Sequence, residues 1–238
     1  YGEVFNCTPY EFTYFGTHDW NSSIAVTGDD LDVPAGPDGG VFDNLGETVF
    51  ANYASELHSL ELNTLNFRSD SLTMSFGVRY IDVEEDFHLL VIDGDDVGLI
   101  GITGDNRLLG MQGGAQWTRG NCKWCVSAGG KAGLYINFAE RDYDIRDSIL
   151  AANNVPNANV RGETSDMEIA VATELRLGVT RHLGCGLKLR GGYELLWING
   201  VALAPEQLGT TTAMMLPAFD TNGDVLYDGG YLGLEWSR

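Results

Sequence analysis

Apolar and polar residues alternate through most of the chain. In the clearest run, 167–179, apolar side chains occupy the odd positions apart from Thr173, and charged or small side chains occupy the even ones. Because successive side chains of a strand point to opposite faces, this run predicts a strand with one apolar and one charged face. The same pattern predicts further strands at 10–14, 59–63, 72–80, 109–117, 123–138, 185–197 and 227–238.

The connections between these runs alternate in length. Short ones fall at 68–71, 118–122 and 180–184, and long ones at roughly 27–53, 82–106, 140–163 and 201–226. Outer-membrane barrels have short periplasmic turns and long extracellular loops. The pattern predicts an all-β fold: a closed, antiparallel, up-and-down transmembrane β-barrel of about eight strands. We expect one domain over 1–238, a periplasmic-side segment at 1–9, and a short helix or lid within 143–155.

Alternation alone does not decide which face lies inside. A soluble barrel turns its apolar face inward and a membrane barrel turns it outward. Glycine supplies 31 of 238 residues, against roughly 7% in average proteins, and glycine on the polar face suits a narrow lumen. Aromatic residues lie near strand ends on the apolar face, as in an interfacial girdle: Tyr80, Trp117, Trp124, Phe138, Trp197 and Trp236. These features favour the bacterial outer membrane, with a soluble lipocalin-like barrel as the alternative.

The charge of the chain is strongly negative and unevenly placed. The formal net charge is −20, with the acidic residues concentrated in the predicted long loops. Basic residues occur in the predicted short turns, at Arg68, Arg119, Lys123 and Arg181. An acidic surface argues against nucleic acid as a partner. We expect contact with membrane lipid, and a homo-oligomer or an envelope assembly stays open.

The polar faces of the predicted strands carry a set of charged residues. They are Glu61, Arg79, Lys131, Glu168, Glu174, Arg176, Lys188, Arg190, Glu194 and Glu235. Buried charges need partners of opposite sign, and an eight-stranded barrel is only wide enough for side chains to fill. The set therefore predicts a salt-bridged plug in the lumen, with a narrow ion path as the alternative.

Four cysteines, Cys7, Cys122, Cys125 and Cys185, lie near the predicted periplasmic end. That compartment is oxidising, so disulfides are expected, and four cysteines allow three pairings. Cys122 and Cys125 form a C-x-x-C pattern, but no histidine follows it for haem attachment and no second pair completes a zinc site.

Two short acidic segments contain oxygen ligands of the kind that calcium prefers. One has Asp220, Asn222 and Asp224 at alternate positions, and the other has Asp93, Asp95 and Asp96. Neither has EF-hand spacing, so a plain turn is the alternative reading. Apart from this calcium, no cofactor is predicted.

Catalytic signatures are missing from the sequence. His18, His58, His88 and His182 are scattered, and no G-x-S-x-G, H-E-x-x-H or phosphate-loop pattern is found. We therefore expect no enzyme activity and assign no catalytic residues.

Five blocks resemble a family of outer-membrane barrels from planctomycete bacteria. They are SELHSLELN at 55–63, GVRYIDVEEDF at 77–87, LLGMQGGAQW at 108–117, KAGLYINFA at 131–139 and YDGGYLGLEW at 227–236. The resemblance implies an outer-membrane barrel without catalytic residues. Together with the charge pattern, it leads us to expect a structural or surface-interaction module that presents acidic loops, with a narrow channel or transport pore as the alternative.

Overall fold

The computed structural model describes residues 10–28, 48–93, 96–121, 123–147, 159–184, 187–207 and 219–236. Within these ranges the chain is all-β apart from one 3₁₀ turn, Ala204–Gln207. None of the helical structure there is long and apolar enough to cross a membrane. The strands are β1 Tyr10–Thr27, β2 Thr48–Arg68, β3 Leu72–Asp93, β4 Asp96–Gly120, β5 Trp124–Asp147, β6 Asn159–Gly184, β7 Leu187–Val201 and β8 Gly223–Trp236.

The eight strands form one antiparallel sheet in sequence order, which confirms the predicted up-and-down topology. The sheet curls into a half-barrel and brings its two ends towards each other. Trp20 on β1 stacks on Tyr227 on β8, with ring centroids 5.6 Å apart. The Tyr227 hydroxyl also lies 3.3 Å from Ser55 Oγ on β2. Among the described strands no backbone pairing joins β1 to β8.

The strands are longer than the sequence pattern predicts. The predicted long loop at 82–106 is mostly strand, because β3 and β4 remain paired up to Asp93 opposite Asp96. Residues 140–147 belong to β5 and 159–163 to β6, so the loop prediction is wrong there. The helix or lid predicted at 143–155 is wrong for 143–147, and 148–158 lie outside the described residues. Residues 180–184, predicted as a turn, belong to β6.

The apolar face of the sheet changes sides at one height. On β3, Phe76 and Val78 are exposed on the outer face, whereas Ile81 and Val83 are fully buried on the inner face. On β4, Leu109 and Met111 are exposed and Leu108 is buried. Tyr80 pairs with both Leu60 and Leu109, so the change occurs at one level on β2, β3 and β4. On β5 it occurs two residues farther on, because Phe138 is still exposed beyond Ile136. We call the side with the short turns the lower zone and the opposite side the upper zone.

The interior of the upper zone is packed with apolar side chains. The first layer consists mainly of Leu57, Ile81, Val83, Leu108, Ala170, Ala172, Leu196 and Ile198. The second lies farther from the short turns and includes Val49, Leu89, Val91, Ile100, Ile102 and Ile145, with Ala204 of the 3₁₀ turn. Full burial of one Leu, Ile or Val side chain contributes about 1.5–3 kcal/mol. These layers hold together the part of the sheet that carries acidic residues on its outer face.

Candidate functional site

Arg79 is the centre of an ion-pair network in the lower interior. Strand alternation turns it inward beside the outward-facing Val78, and it is only 3% exposed. Its Nε donates to Ser59 Oγ at 2.8 Å, and its Nη1 donates to Glu174 Oε2 at 2.9 Å. The same Nη1 lies 3.5 Å from Glu61 Oε1. One guanidinium thus joins β2 and β3 to β6, on the far side of the interior.

Glu61 has four donors around its carboxylate. Besides Arg79, Lys131 Nζ donates to Glu61 Oε2 at 2.7 Å. The side-chain amides of Asn63 and Gln112 donate to the same oxygen at 3.0 and 2.8 Å. A buried carboxylate keeps its charge only when it has such partners, so the network holds Glu61 as an acceptor.

Arg176 extends the network to β7. Its Nε and Nη2 donate to the two carboxylate oxygens of Glu194, each at 3.0 Å. Its Nη2 also lies 3.3 Å from Glu174 Oε1. Paired donation of this kind fixes geometry as well as charge. The formal charges of Arg79, Lys131 and Arg176 balance those of the three glutamates, so the network is neutral as a whole.

A second group of buried polar side chains holds the chain that follows β7. Gly200 has a φ of 86°, and after it residues 202–207, here called the inner plug, turn into the interior. Asn106 accepts from Ala202 N at 2.7 Å and donates to Ala202 O at 2.9 Å. Asn137 donates to Asn106 Oδ1 and to Gly200 O, both at 2.9 Å. These bonds replace the strand pairing that the plug backbone gives up.

Glu85 and Gln207 hold the far end of the inner plug. Glu85 accepts from Ala204 N at 3.0 Å and from the Tyr53 hydroxyl at 2.6 Å. Burial raises the pKa of the Glu85 carboxyl, against the lowering effect of these two hydrogen bonds. Gln207 donates to Asp220 O at 2.6 Å and accepts from Asp220 N at 3.1 Å. Arg141 Nη1 donates to Gln207 Oε1 at 3.3 Å.

Together these groups close the interior in layers. Lys131, Glu174 and Arg176 line a cavity of about 50 Å³, room for very little besides water. Above it follow the first apolar layer and the inner plug. The arrangement can fix the strands relative to one another, and it leaves little space for a solute to pass.

The predicted lumen residues therefore separate into groups. The network brings together Glu61, Arg79, Lys131, Glu174, Arg176 and Glu194. Lys188 and Arg190 line a cavity of about 480 Å³ at the short-turn end, here called the lower mouth. Glu168 is exposed on β6 away from the network. Glu235 stands opposite Lys188 in the register, and its side chain lies outside the described part.

The calcium candidates do not converge in the described ranges. Asp220 Oδ1 accepts from Asn222 N and Nδ2 at 2.9 and 3.1 Å, the pattern of an Asx turn. Asp224 accepts from Trp197 Nε1 at 3.3 Å. Asp93 and Asp96 face each other in the β3–β4 register, and Asp95 lies outside the described residues. No group of three His, Cys, Asp or Glu that could hold a metal occurs in the described part. Calcium stays a prediction.

Cys125 has a free thiol and lines the lower mouth. The expected disulfide therefore does not form at this residue. Cys7, Cys122 and Cys185 lie outside the described residues, so a pairing among these three stays a prediction.

Several buried polar residues were missed by the sequence reasoning. They are Glu85, Asn106, Gln112, Asn137, Arg141 and Gln207. Gln112 lies at an inward position of a predicted strand, but the predicted plug included only charged side chains. Extending the alternation of β3 and β4 through 82–106 would have placed Glu85 and Asn106 on the inner face.

Comparison of the chain with protein-family models, with curated proteins and with solved structures finds no match.

Proposed function

We propose that this protein is an outer-membrane β-barrel, completed where β1 approaches β8, that acts as a structural and surface-interaction module. The observation that carries the proposal is the change of apolar face at Tyr80. In the lower zone β3 presents apolar side chains outward from Leu72 to Tyr80, about nine residues. A tilted membrane strand needs roughly 9–11 residues. The resemblance to planctomycete outer-membrane barrels agrees with this proposal.

The interior supports a plugged barrel rather than a pore. A conducting lumen needs a continuous water path, as in the much wider porins. Here the neutral ion-pair network, the first apolar layer and the inner plug follow one another along the axis. A rigid anchor is the role that such a filled interior serves best.

The upper zone supplies the surface for interaction. Glu56, Glu84, Asp105 and Glu140 face one another on four adjacent strands, in a row that crosses the outer face. Directly opposed like charges destabilise a sheet, so the row has a cost in stability. The negative electrostatic field of this row attracts cationic partners and repels anionic ones. We propose that this acidic face is what the barrel presents outside the membrane.

Membrane insertion is tested with two charge substitutions on one face of β4. Met111→Lys places a cation in the lower zone, where a lipid-facing lysine costs about 2–4 kcal/mol near the bilayer midplane. Asp105→Lys places the same cation six residues higher, in the upper zone. We expect Met111→Lys to reduce insertion into liposomes and heat-modifiable gel migration, and Asp105→Lys to leave both intact. Wild-type protein that stays dispersed without detergent, or equal behaviour of the two variants, would contradict the proposal.

Planar-bilayer recording separates the plugged barrel from a channel. We expect no stable openings from the inserted wild-type protein. Unit conductance steps that disappear in Arg79→Gln would show an ion path through the network and would replace the structural role by conduction.

A further inference from the structure

A cavity lies where β1 approaches β8, and aromatic residues from both strands line it. It measures about 230 Å³ and is here called the seam cavity. Phe15 and Trp20 contribute to it from β1, and Tyr227 and Tyr231 contribute from β8. Sites for drug-sized molecules measure roughly 300–1,000 Å³. The seam cavity therefore suits a smaller chemical group.

Strand register turns the two rings of β1 towards the interior. Phe15 stands opposite Ser59 and Trp20 stands opposite Ser55, and both serines are buried. Tyr227 holds Trp20 in place by stacking, with the ring centroids 5.6 Å apart. Trp20 is nevertheless 51% exposed, so the stack covers only part of its surface. The remaining surface of the indole ring is accessible to a ligand that enters the seam.

The charged residues of the seam cavity are both acidic. Within the described part of the chain its lining includes Glu194 and Asp228 and no basic residue. Glu194 accepts two hydrogen bonds from Arg176, which neutralises its charge. Asp228 accepts from the Tyr193 hydroxyl, and this neutral donor leaves the carboxylate charge in place. Aromatic faces are themselves negative, so the cavity favours a cation.

Gly229 keeps one wall of the seam cavity open. It stands opposite Glu194 in the β7–β8 register, and an added Cβ there would meet nothing within 4 Å. Its backbone is outside the left-handed region, so neither steric contact nor conformation requires glycine at this position. A side chain at Gly229 would instead reduce the space between the rings.

We infer that the seam cavity binds a quaternary ammonium group, with its methyl groups against the rings of Phe15, Trp20 and Tyr231. An aromatic face attracts a cation that lies within about 6 Å of the ring centroid, and tryptophan attracts it most strongly. A quaternary ammonium group carries its charge inside a shell of methyl groups and donates no hydrogen bond. It therefore suits a wall made mostly of aromatic carbon.

The quaternary ammonium group can belong to a dissolved solute or to a lipid head group, because the recognition chemistry is the same. The inference goes beyond the proposed anchoring role. It depends on the approach of β1 to β8 and not on insertion into a membrane.

The test measures binding of choline chloride to the full-length protein by calorimetry, in a nonionic detergent without phospholipid and at constant ionic strength. Dimethylbutanol, the carbon analogue of choline, has the same shape without the charge. We expect saturable binding of choline to the wild type. The neutral analogue should bind at least about tenfold more weakly, equivalent to about 1.4 kcal/mol. Trp20→Leu keeps an apolar side chain and should weaken choline binding by a similar factor.

Two glycine substitutions on β8 provide a matched pair. Gly229 and Gly233 are four residues apart, so they lie on the same face of the strand, and an added Cβ meets nothing within 4 Å at either. Gly229 lines the seam cavity, whereas Gly233 is outside its lining. We expect Gly229→Val to weaken choline binding at least about tenfold and Gly233→Val to bind choline as the wild type does. Circular dichroism shows that the variants are folded.

Mixed micelles identify the source of the group. Binding of free choline indicates a solute. A response to phosphatidylcholine but not to phosphatidylglycerol, without binding of free choline, indicates a head group, and the same variants then test it. Equal affinity for choline and its neutral analogue, unchanged binding in Trp20→Leu, or equal loss in the two valine variants would each overturn the inference. Failure to bind either choline or phosphatidylcholine would overturn it as well.

Discussion

The guanidinium of Arg79 on β3 lies 2.9 Å from the carboxylate of Glu174 on β6. These strands are not neighbours in the sheet, so the contact crosses the interior and joins opposite walls. Both side chains are 3% exposed. An ion pair so deeply buried contributes most by fixing geometry, since its attraction is largely offset by the desolvation of the charges.

Removal of Arg79 should destabilise the protein strongly. Arg79→Gln removes one of the two cations that bridge the buried carboxylates of Glu61 and Glu174, the other being Lys131. Breaking a buried ion pair in this way lowers the free energy of unfolding by about 3–5 kcal/mol. Urea titration of the refolded protein in detergent measures it. Arg107→Gln is the control, because Arg107 is 54% exposed and lies 4.0 Å from Asp105, and such a pair contributes only about 0–1 kcal/mol. Similar losses in the two variants would contradict a structural role of the network.

Neutralising Glu84 should stabilise the protein at neutral pH. Partial burial, followed by the charges of Asp105, Asp86 and Glu56, raises the pKa of Glu84 above its ordinary value of 4.5. The charged carboxylate therefore costs stability above the folded-state pKa, and the cost disappears as the pH falls below 4.5. Relief of the like-charge contacts by Glu84→Gln should contribute a few tenths to about 1 kcal/mol at pH 7.

The difference in the free energy of unfolding between Glu84→Gln and the wild type should vanish near pH 4. Unfolding curves recorded at pH 7 and near pH 4 measure it. Glu168→Gln serves as the comparison, because Glu168 is exposed and stands opposite the neutral Asn137. A gain that is independent of pH, or a gain of equal size in Glu168→Gln, would argue against repulsion within the acidic row.

Glu85 should control how firmly the inner plug is held. Glu85→Ala removes the acceptor of both Ala204 N–H and the Tyr53 hydroxyl, and an unsatisfied buried donor costs about 1–3 kcal/mol. We expect faster amide hydrogen exchange at residues 202–207, measured by mass spectrometry, with unchanged exchange in the lower-zone strands. Glu206→Ala changes an exposed acidic residue of the same turn and should leave exchange unaltered. Unchanged protection in Glu85→Ala would show that the plug is held by other contacts.

Gly200 should not tolerate a side chain. Its φ of 86° is a left-handed conformation, and an added Cβ would lie 2.8 Å from Ile169 O and 3.0 Å from Ala170 Cα. The backbone conformation alone costs an alanine about 1–2 kcal/mol, so Gly200→Ala should lower the free energy of unfolding by at least this amount. Gly113→Ala is the control, because a Cβ there meets only Ser75 O at 4.0 Å. A smaller loss at Gly200 than at Gly113 would contradict this geometry.

Strand alternation in the lower zone was enough to predict the sheet there. The runs around Val78 and Met111 carry apolar residues at every second position, and they lie in the strands that were predicted. Inward placement of Glu61, Arg79 and Glu174 follows from the same alternation. Their mutual contacts do not, because Arg79 and Glu174 meet only through the curvature of a sheet whose intervening strands are β4 and β5.

The upper zone was missed because its outer face is acidic. The acidic residues Asp82, Glu84 and Asp86 led to the prediction of a loop, because such a density of charge is typical of exposed connections. The neighbouring Ile81 and Val83 show the true pattern: the apolar positions move from even to odd numbers between Tyr80 and Ile81. This shift from even to odd apolar positions was visible in the sequence. It indicates a change of the apolar face only if the strand continues without a break. The inner plug had no comparable signal, since its contacts come from Glu85, Asn106 and Asn137 on three separate strands.

Strands that run unbroken from the lower zone into the upper zone limit how this molecule can vary in length. Every residue beyond Tyr80 takes its orientation from the same two-residue rhythm, so inserting a single residue there would turn Ile81 outward and Glu84 inward. Insertions of two residues, matched on neighbouring strands, would instead lengthen the upper zone and leave the lower zone unchanged. Natural variants of this architecture should therefore differ in height by even numbers of residues per strand.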